Sequence, residues 1–371
     1  MARALMTLVS LFLVGVAVAD ESTEPPSQLS ELLGRDADAA FARALTPHAF
    51  AFPADHGPHP EFRNEWWYVT GNLDDEDGRR FGFELTFFRF ALSPTLPASS
   101  SAWRTKQVYI AHLAVTDAED EQFYVARRYS RGAVGLAGAQ VEPFRVWIDN
   151  WEVVERSSDA WRLRANDDAF GIDVELTPLK LPVLNGIDGL SQKSADRGNA
   201  SYYYSITRLQ TEGRLRIGKR EYTVSGLSWL DREWSTSALA DDQAGWDWFA
   251  LQLSDGSELM LYGLRKTDGT RDAASAGTFV GADGVASHLD ANDIEITVLD
   301  TWASPEGGSY PSRWMLRVPR LGLELTVTPI VADQELFTTV RYWEGAVDLT
   351  GERDGLPLEG RGYVELTGYA Q

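Results

Sequence analysis

The sequence predicts an all-β protein whose two halves resemble each other. Three observations support this: alternation of apolar and polar residues, turn dipeptides at hairpin spacing, and internal matches that occur in the same order in both halves. Alternation is clearest from Phe81 to Phe87, where Phe or Leu occupies every second position. A period of two residues is typical of a strand with one buried face. Many short strands without a βαβ rhythm indicate barrels or sandwiches.

Turn signals divide the chain into segments of strand length. Asp-Gly pairs occur at positions 77–78, 255–256, 268–269, 283–284 and 354–355. Such pairs favour the tight turns that connect antiparallel strands.

The internal matches indicate a duplication. Residues 65–73 match 245–253, residues 171–178 match 322–329, residues 204–213 match 342–351, and residues 224–231 match 358–365. A repeat this long indicates two copies of one β-unit rather than a solenoid. We predict a first barrel over 49–239 and a second over 240–371, meeting near residue 240.

The first 19 residues have the features of a secretory signal peptide. Arg3 precedes an uncharged apolar run over residues 4–19, which ends in the small-x-small cleavage site Ala17-Val18-Ala19. The run is shorter than the roughly 20 apolar residues of a membrane span. We therefore expect a periplasmic or secreted protein that has no stable membrane span after cleavage.

Residues 20–48 are a predicted lead-in arm or linker, rich in Pro, Ser and Ala. Its apolar side chains fall at roughly helical spacing at Leu29, Leu32, Leu33, Phe41 and Leu45. This spacing indicates either a short amphipathic arm or a mobile lead-in.

Composition narrows the function classes. The formal net charge of −21 disfavours nucleic acid and anionic membranes as partners, although solubility explains the charge equally well. No Cys is present, which excludes disulfides and thiol chemistry. The 13 Trp, 13 Tyr and 16 Phe are enough for large cores or an aromatic-lined cavity.

Several Trp-rich motifs resemble one known family. They occupy residues 59–68, 110–113, 230–234, 245–249, 342–345 and 362–369. Over residues 50–371 the chain resembles the secreted lipocalin-like family that shares its name with the attachment protein AttH and with carotenoid 1,2-hydratase. The resemblance implies two tandem lipocalin-like (calycin) β-barrels with few helices.

The resemblance leaves three functions open, because relatives range from hydratases and cyclases of apolar substrates to members without an established activity. The first is an exported binder of a lipid, isoprenoid or other apolar small molecule, with an envelope transporter as a further partner. The second is a hydratase or isomerase acting on an apolar alkene. The third is a cell-envelope attachment or assembly factor.

Asp231 is the candidate general acid for the hydratase hypothesis. Hydration of an alkene needs an acid, an aromatic surround for the carbocation, and a water. Asp231 follows Trp229 by two residues, so both side chains lie on one face of a strand. Burial among aromatic rings would keep such an acid protonated. The alternative for Asp231 is an ion pair with Arg232 or another Arg at the junction of the barrels.

The resemblance to carotenoid hydratases is incomplete at this strand. Those enzymes are expected to carry Tyr-x-Asp here and His-x-Trp further upstream, whereas this chain has Trp229-x-Asp231 and Tyr202-x-Tyr204. The acid and the aromatic character are kept but the His is lost, which favours the binder. A cavity lined by Tyr202, Tyr204 and Trp229 is still expected. His112 is a second catalytic candidate, or else a core histidine, and a cavity shared with Asp231 would favour catalysis.

Trp67, Trp246 and Trp248 are candidate ligand contacts, or else plugs and packing of the barrels. No metal site or cofactor is predicted, because His56 and His59 lie in a Pro/Gly loop and fit a polar surface. A Ser hydrolase is not expected, since the nucleophile-elbow motif is absent. Zinc-protease, P-loop and Rossmann motifs are also missing.

Overall fold

The computed structural model describes residues 40–157, 160–237, 239–338 and 341–369. The predicted signal peptide and the first part of the predicted lead-in lie outside these residues. Within the described ranges, the helical segments are three short 3₁₀ helices: Ala54–His56, Ala291–Asp293 and Pro319–Leu321. None of the described segments is a helix with the length and apolar character to cross a membrane. The prediction of an all-β fold with few helices is confirmed.

The first half forms a sheet of 13 antiparallel strands. They are β1 (Asn64–Asp75), β2 (Arg80–Ala91), β3 (Gln107–Asp117), β4 (Gln122–Arg131), β5 (Ala137–Gln140), β6 (Arg145–Ile148), β7 (Trp151–Ser157), β8 (Ala160–Asn166), β9 (Phe170–Pro178), β10 (Val183–Leu184), β11 (Leu190–Gln192), β12 (Ala200–Ile217) and β13 (Arg220–Ser237). The order is β4-β3-β2-β1-β13-β12-β9-β8-β7-β6-β5, with β10 and β11 also paired to β12.

The second half forms a sheet of 10 strands. They are β14 (Gln243–Leu253), β15 (Glu258–Lys266), β16 (Ala276–Val280), β17 (Ala286–Asp290), β18 (Glu295–Ala303), β19 (Ser309–Val318), β20 (Leu323–Pro329), β21 (Glu335–Phe337), β22 (Arg341–Arg353) and β23 (Leu356–Thr367). The order is β17-β16-β15-β14-β23-β22-β20-β19-β18, with β21 paired to β22.

Each sheet curls around an apolar core of its own. Phe81, Phe83, Leu85 and Phe87 are fully buried in the first core, as their alternation in the sequence predicts. Phe249 occupies a comparable place in the second core. Because side chains alternate between the two faces of a strand, the residues between these positions lie on the outside of each barrel.

The lead-in crosses one end of the first barrel. Phe41 is buried, whereas Leu45 is 45 % exposed, and residues 42–48 form irregular chain rather than a helix. The carbonyl of Thr46 accepts a hydrogen bond from Tyr202 Oη at 2.8 Å. The helical spacing of Phe41 and Leu45 therefore does not produce a helix, because Pro47 follows closely and the chain is held by contacts with the barrel end.

The outer faces of the two barrels pack against each other along a seam formed by β1, β2, β3, β12 and β13 on one side and β14, β15, β22 and β23 on the other. At one end the sheets touch: Asn72 Nδ2 donates to the Gly362 carbonyl at 3.0 Å, and a Cβ added at Gly82 would lie 2.5 Å from the Ala346 Cβ. At the other end the aromatic residues are half-buried: Trp66, Phe88, Phe90 and Trp246. The seam is thus closed at one end and lined by partly exposed rings at the other.

A β-bulge in β12 decides which residues reach the seam. Ile206 pairs with Leu230 and Leu209 pairs with Ser228, so β12 contains one extra residue between these two pairs. An extra residue reverses the facing of the side chains that precede it. Tyr203 therefore faces the seam, while Tyr204 points into the first barrel.

Candidate functional site

A row of polar side chains crosses the seam face of the first barrel. Directly paired residues on neighbouring strands point to the same face of a sheet. The row consists of Ser205, Asp231, Tyr68, Thr86 and His112. A second row, on the facing wall of the second barrel, consists of Glu344, Glu365, Trp248 and Tyr262.

Asp231 is buried and accepts three hydrogen bonds. Tyr203 Oη donates to Oδ2 at 2.5 Å, Ser205 Oγ donates to Oδ1 at 2.5 Å, and Trp229 Nε1 donates to Oδ1 at 2.6 Å. Burial raises the pKa of Asp231 to about 7, although these donors oppose the increase. No Arg forms an ion pair with Asp231 among the described residues, so the alternative proposed from the sequence is not what the structure contains.

Glu84 and Glu344 are fully buried carboxyl groups on opposite walls of the seam. In the part of the chain that the structure describes, no short hydrogen bond reaches the oxygens of either group, and their nearest polar neighbours are hydroxyl groups: Thr86 beside Glu84, and Tyr68 and Tyr342 beside Glu344. Burial raises the pKa of both groups well above the usual range, and the charge of Glu365 raises both further. Burial therefore favours the neutral form of both side chains.

Glu365 connects this pair of acids to Asp231. Its Oε2 accepts a hydrogen bond from Trp246 Nε1 at 3.2 Å. Burial raises the pKa of Glu365 to about 7, and the negative charges of Asp231 and Glu233 add to the increase. Asp231 and Glu365 thus change protonation state near neutral pH.

Aromatic side chains surround the four acids. Tyr68 and Trp248 meet edge to face with ring centroids 5.0 Å apart. The hydroxyl groups of Tyr68 and Tyr363 are buried; that of Tyr68 is a neighbour of Glu344, and that of Tyr363 has no hydrogen-bond partner among the described residues. These rings and hydroxyls face the same space as the carboxyl groups.

His112 lies at the far end of the first row. Its Nδ1 is 2.6 Å from Tyr342 Oη, and its Nε2 is buried without a partner in the described part of the chain. Burial and the nearby charge of Arg127 lower the pKa of His112 to about 4, so the ring is neutral. Asp231 is three strands away, about 14 Å at the usual strand spacing. The two predicted catalytic residues share the seam but do not touch.

Lys193 supplies a positive charge near Asp231. Its Nζ lies 2.9 Å from Glu233 Oε1, and it lies over the rings of Tyr203 and Tyr262 at 5.2 Å and 4.5 Å from their centroids. The buried ammonium group is therefore neutralised by Glu233 rather than by Asp231.

The structure separates the predicted ligand contacts into two groups. Trp229, Trp246 and Trp248 lie on the seam, packed with or beside the cluster of aromatic side chains that joins the barrels. Trp67, Tyr202 and Tyr204 belong instead to the filled core of the first barrel.

Within that core, each of the three has a structural partner. The guanidinium of Arg232 lies 4.0 Å above the Trp67 ring, and Tyr204 Oη lies 2.6 Å from His56 Nδ1. Tyr202 holds the lead-in at Thr46. These side chains close the barrel end and do not reach the acids of the seam.

His48, Asp55 and His59 form a potential metal-ligand cluster near the lead-in. His59 Nε2 lies 3.0 Å from Asp55 Oδ1, while His59 Nδ1 lies 3.2 Å from Arg232 Nη2. His59 Nδ1 also lies 3.6 Å from Glu65 Oε2, and His48 Nε2 lies 3.3 Å from Asp55 Oδ1. The members of the cluster are therefore held by contacts with one another and with the buried Glu65–Arg232 pair. His56, paired with Tyr204, is not part of this cluster.

A family model described as AttH-like matches residues 43–369. The chain belongs to the AttH-like family. The resemblance found in the sequence is thereby confirmed.

Solved structures agree with this assignment. A protein of Nitrosomonas europaea assigned as an AttH is 34 % identical, covers 89 % of this chain and 100 % of its own, and superposes with a TM-score of 0.79. Kievitone hydratase from Nectria haematococca is 18 % identical, with coverage of 89 % and 98 % and a TM-score of 0.66. CghA, solved with Sch210972, is 12 % identical, with coverage of 91 % and 98 % and a TM-score of 0.52. The last two show a shared fold. Among curated proteins, no sequence matches this chain.

In this AttH-like protein, the sequence reasoning missed Glu84 and Glu344 because each lies on the strand face that alternation marks as exposed. A signal was nevertheless present. Phe88 and Phe90 occupy the same face of β2 as Glu84, and two large apolar residues on a nominally exposed face indicate that something covers it. Tyr203 was missed because the bulge cannot be located from alternation alone.

Proposed function

We propose that this AttH-like protein is an enzyme of the hydratase or cyclase type, which protonates an apolar substrate in the seam between its barrels. One observation carries the proposal: Glu84 and Glu344 are fully buried carboxyl groups on facing walls, surrounded by aromatic side chains and without an ion-pair partner among the described residues, and burial favours their neutral form. Two buried acids so close together are costly to the fold, so a role toward a ligand accounts for them better than a role in stability.

The chemistry needs a proton donor and a base. In the proposed step, the O–H bond of Glu344 breaks as a C–H bond forms at one carbon of an alkene, and the other carbon becomes a cation. A water adds to that cation and gives up a proton, which restores a neutral acid and completes hydration. In a cyclase, a second double bond of the substrate replaces the water, and a proton leaves the product.

The surrounding residues fit the remaining roles. The rings of Tyr68, Tyr363 and Trp248 stabilise a developing positive charge. Asp231, with a pKa of about 7, is ionised in a substantial fraction of molecules at neutral pH and accepts the released proton. Glu365 interacts electrostatically with both Asp231 and Glu344, and it passes the proton from one to the other across the seam.

The relatives support a hydratase or cyclase on fold alone. Kievitone hydratase is a hydratase by name and has the same arrangement of sheets over 98 % of its length. A carrier of a lipid or isoprenoid, which the sequence favoured, needs an apolar cavity but no unpaired acids. The buried acids and their aromatic neighbours lie in the seam and not in the apolar core of the first barrel, so the seam suits either function better than the barrel interior.

Deuterium incorporation tests the proposal without knowledge of the product. A panel of prenylated and terpenoid alkenes is incubated with the protein in D₂O, and the recovered compounds are analysed by mass spectrometry. We expect a carbon-bound deuterium in at least one alkene. Glu344→Gln should reduce the rate by about 100-fold or more, the usual contribution of a general acid.

Glu359→Gln is the matched control, because Glu359 is an exposed glutamate of the second barrel. It should leave the rate unchanged. Equal deuterium incorporation in the wild type and in a Glu84→Gln, Glu344→Gln double variant would contradict the proposal. Recovery of an apolar molecule that the wild type binds and never deuterates would point to the carrier instead.

We also propose that the protein acts outside the cytoplasm. The apolar run before Ala19 supports export. Mass spectrometry of the protein from the periplasmic or secreted fraction should give an N-terminus at Asp20, whereas an intact N-terminus would contradict export by cleavage.

A further inference from the structure

We propose that the seam is a binding site for an organic cation, in the form of a protonated amine on an apolar skeleton, and that carboxylate-bearing molecules are excluded from it. The inference rests on the proposed function for the location of the site but does not depend on turnover. It names the charge of the ligand, which the hydratase proposal leaves open.

The balance of charge within the seam is the first argument. Six acids face it: Glu84, Asp231, Glu233, Glu258 and Glu344 are buried, and Glu365 is half-buried. Glu258 forms ion pairs with Lys180 and Arg208. Lys193 is paired with Glu233 at 2.9 Å, so that pair is neutral overall. The remaining four acids have no cation within ion-pair distance among the described residues. Because burial favours neutral Glu84 and Glu344, the negative charge comes from Asp231 and Glu365, which would repel an anionic ligand and whose mutual repulsion a cation would relieve.

Unsatisfied polar atoms are the second, independent argument. Tyr68 is 94 % buried and Tyr363 is 99 % buried, since 6 % and 1 % of their surfaces are exposed. The Tyr363 hydroxyl has no partner in the described part of the chain, whereas the Tyr68 hydroxyl is a hydrogen-bonding neighbour of Glu344. A buried group that lacks a partner marks a place where a ligand is expected to supply one.

Aromatic faces are the third argument. Tyr68, Trp248 and Tyr363 enclose the acids, and the half-buried Trp66 and Trp246 lie at the partly exposed end of the seam. Ammonium groups bind to aromatic faces, most strongly when they are desolvated. Lys193 already binds in this way between Tyr203 and Tyr262, which shows that this environment accommodates an ammonium group.

The pH dependence of such binding follows from the groups that face the seam. They are Tyr68, Glu84, His112, Lys180, Lys193, Tyr203, Arg208, Asp231, Glu233, Glu258, Tyr262, Tyr342, Glu344, Tyr363 and Glu365. The pKa values of Asp231 and Glu365 are about 7, whereas that of His112 is about 4 and those of Glu84 and Glu344 are well above the usual range. The changes of charge near neutral pH are therefore those of Asp231 and Glu365. An amine should bind more tightly as pH rises and should release protons when it binds.

Three probes with one carbon skeleton test the proposal: geranylamine, geraniol and geranic acid. Their affinities are measured by titration calorimetry from about pH 6 to about pH 8, in buffers of different ionisation enthalpy to count released protons. A neighbouring charge lowers a carboxyl pKa by about 1 to 3 units, and each unit corresponds to about tenfold in affinity. We expect geranylamine to bind about tenfold more tightly at the higher pH and more tightly than geraniol there. Geranic acid should be the weakest ligand.

An Asp231→Asn, Glu365→Gln double variant should lose the pH dependence and the proton release, and Glu359→Gln should keep both. Retained binding of geraniol shows that the double variant is folded. If the double variant no longer binds geraniol, the two single variants are used instead, and each should release fewer protons than the wild type when geranylamine binds. The proposal is overturned if geranylamine does not bind, binds no more tightly than geraniol, or keeps its pH dependence in the double variant. Deuterium incorporation by the wild type is scored separately, so the proposed function survives or fails by its own experiment.

Discussion

Asp231 shows how single residues set the chemistry of the seam. Burial favours its neutral form, while the donors Tyr203, Ser205 and Trp229 favour its ionised form. The pKa of about 7 is the balance between these opposing effects. Removal of one donor should therefore move the pKa in a defined direction.

Tyr203→Phe should raise the pKa of Asp231 above its wild-type value, because the bond from Tyr203 Oη to Oδ2 stabilises the ionised carboxylate. The shift is read from the ¹³C chemical shift of the carboxyl carbon as a function of pH. Tyr124→Phe serves as the control, since Tyr124 packs against the core of the first barrel. An unchanged or lowered pKa in Tyr203→Phe would show that this hydrogen bond does not govern Asp231.

Glu65 lies inside the first barrel and, unlike Asp231, is paired with positive charges. It is fully buried between Arg89 and Arg232, and forms ion pairs with both. Loss of one member of a buried ionic network leaves an uncompensated charge and costs about 3 to 5 kcal/mol. Glu65→Gln should therefore lower the free energy of unfolding by about that amount, as measured by urea denaturation.

An ion pair on the protein surface serves as the control for the buried Glu65 network. Arg214 and Glu221 are 69 % and 57 % exposed at 3.1 Å, and such pairs contribute at most about 1 kcal/mol. Glu221→Gln should therefore have a small effect. Similar losses for Glu65→Gln and Glu221→Gln would contradict the importance of the buried network.

At the scale of strands, the contact between β2 and β22 sets how closely the barrels approach. Gly82 lies against Ala346, with no room for a Cβ. Gly82→Ala should therefore destabilise the protein by about 1 to 3 kcal/mol, the usual cost of overpacking. Denaturation of the single variants and of Gly82→Ala combined with Ala346→Gly measures the coupling. The double variant should recover much of the loss, and simple additivity would contradict a direct contact.

The alternation of residues predicts the inner face of each strand well and the outer face poorly. Phe81 to Phe87 were correctly placed in a core, because one apolar face is all that a period of two requires. Whether the outer face of a strand is buried depends on whether the sheet of the other barrel packs against it. That packing is a matter of tertiary structure and leaves no local pattern in the sequence. Glu84 is therefore indistinguishable from a solvated glutamate until the seam is known.

The bulge in β12 limits the prediction in another way. Counting residues equates Tyr204 with Tyr342, but the extra residue makes Tyr203 the true counterpart of Tyr342. Tyr204 was predicted to line a cavity and instead bonds with His56 inside the first barrel. A one-residue irregularity thus moved a candidate from one face of the sheet to the other.

For the whole molecule, the seam carboxyl groups make stability depend on pH. Their pKa values are raised in the folded state, so the native protein binds more protons than the unfolded chain between about pH 4 and about pH 7. The contribution of these carboxyl groups to stability therefore falls as pH rises through this range. The lowered pKa values of His56 and His112, about 4 each, act in the opposite direction below about pH 6.5.

Comparison of variants separates these opposing contributions. Unfolding free energies are measured from about pH 5 to about pH 8 for the wild type and for Asp231→Asn, Glu365→Gln. The variant should gain about 5 kcal/mol relative to the wild type over that range, since each of the two groups contributes about two pKa units at about 1.4 kcal/mol per unit. A difference that stays constant with pH would show that these two carboxyl groups do not titrate near neutral pH.

The tandem fold and the family were predictable from the sequence as a whole, because long Trp-rich motifs and ordered repeats extend over most of it. The site was predictable only at Asp231, His112 and the tryptophans that reach the seam. Glu344 and Tyr363 belong to the other copy, and no local pattern shows that they meet residues of the first.

The bulge also gives the seam a direction. Two copies with identical strands would present the same groups from both walls, and a ligand could enter in either of two equivalent orientations. The inserted residue of β12 brings Tyr203 and Ser205 to Asp231, whereas β22, without an insertion, brings Tyr342 and Glu344 beside Glu365. One end of the seam offers a carboxylate held by donors, and the other offers acids that hold their own protons. A ligand bound between them has a distinct head and tail.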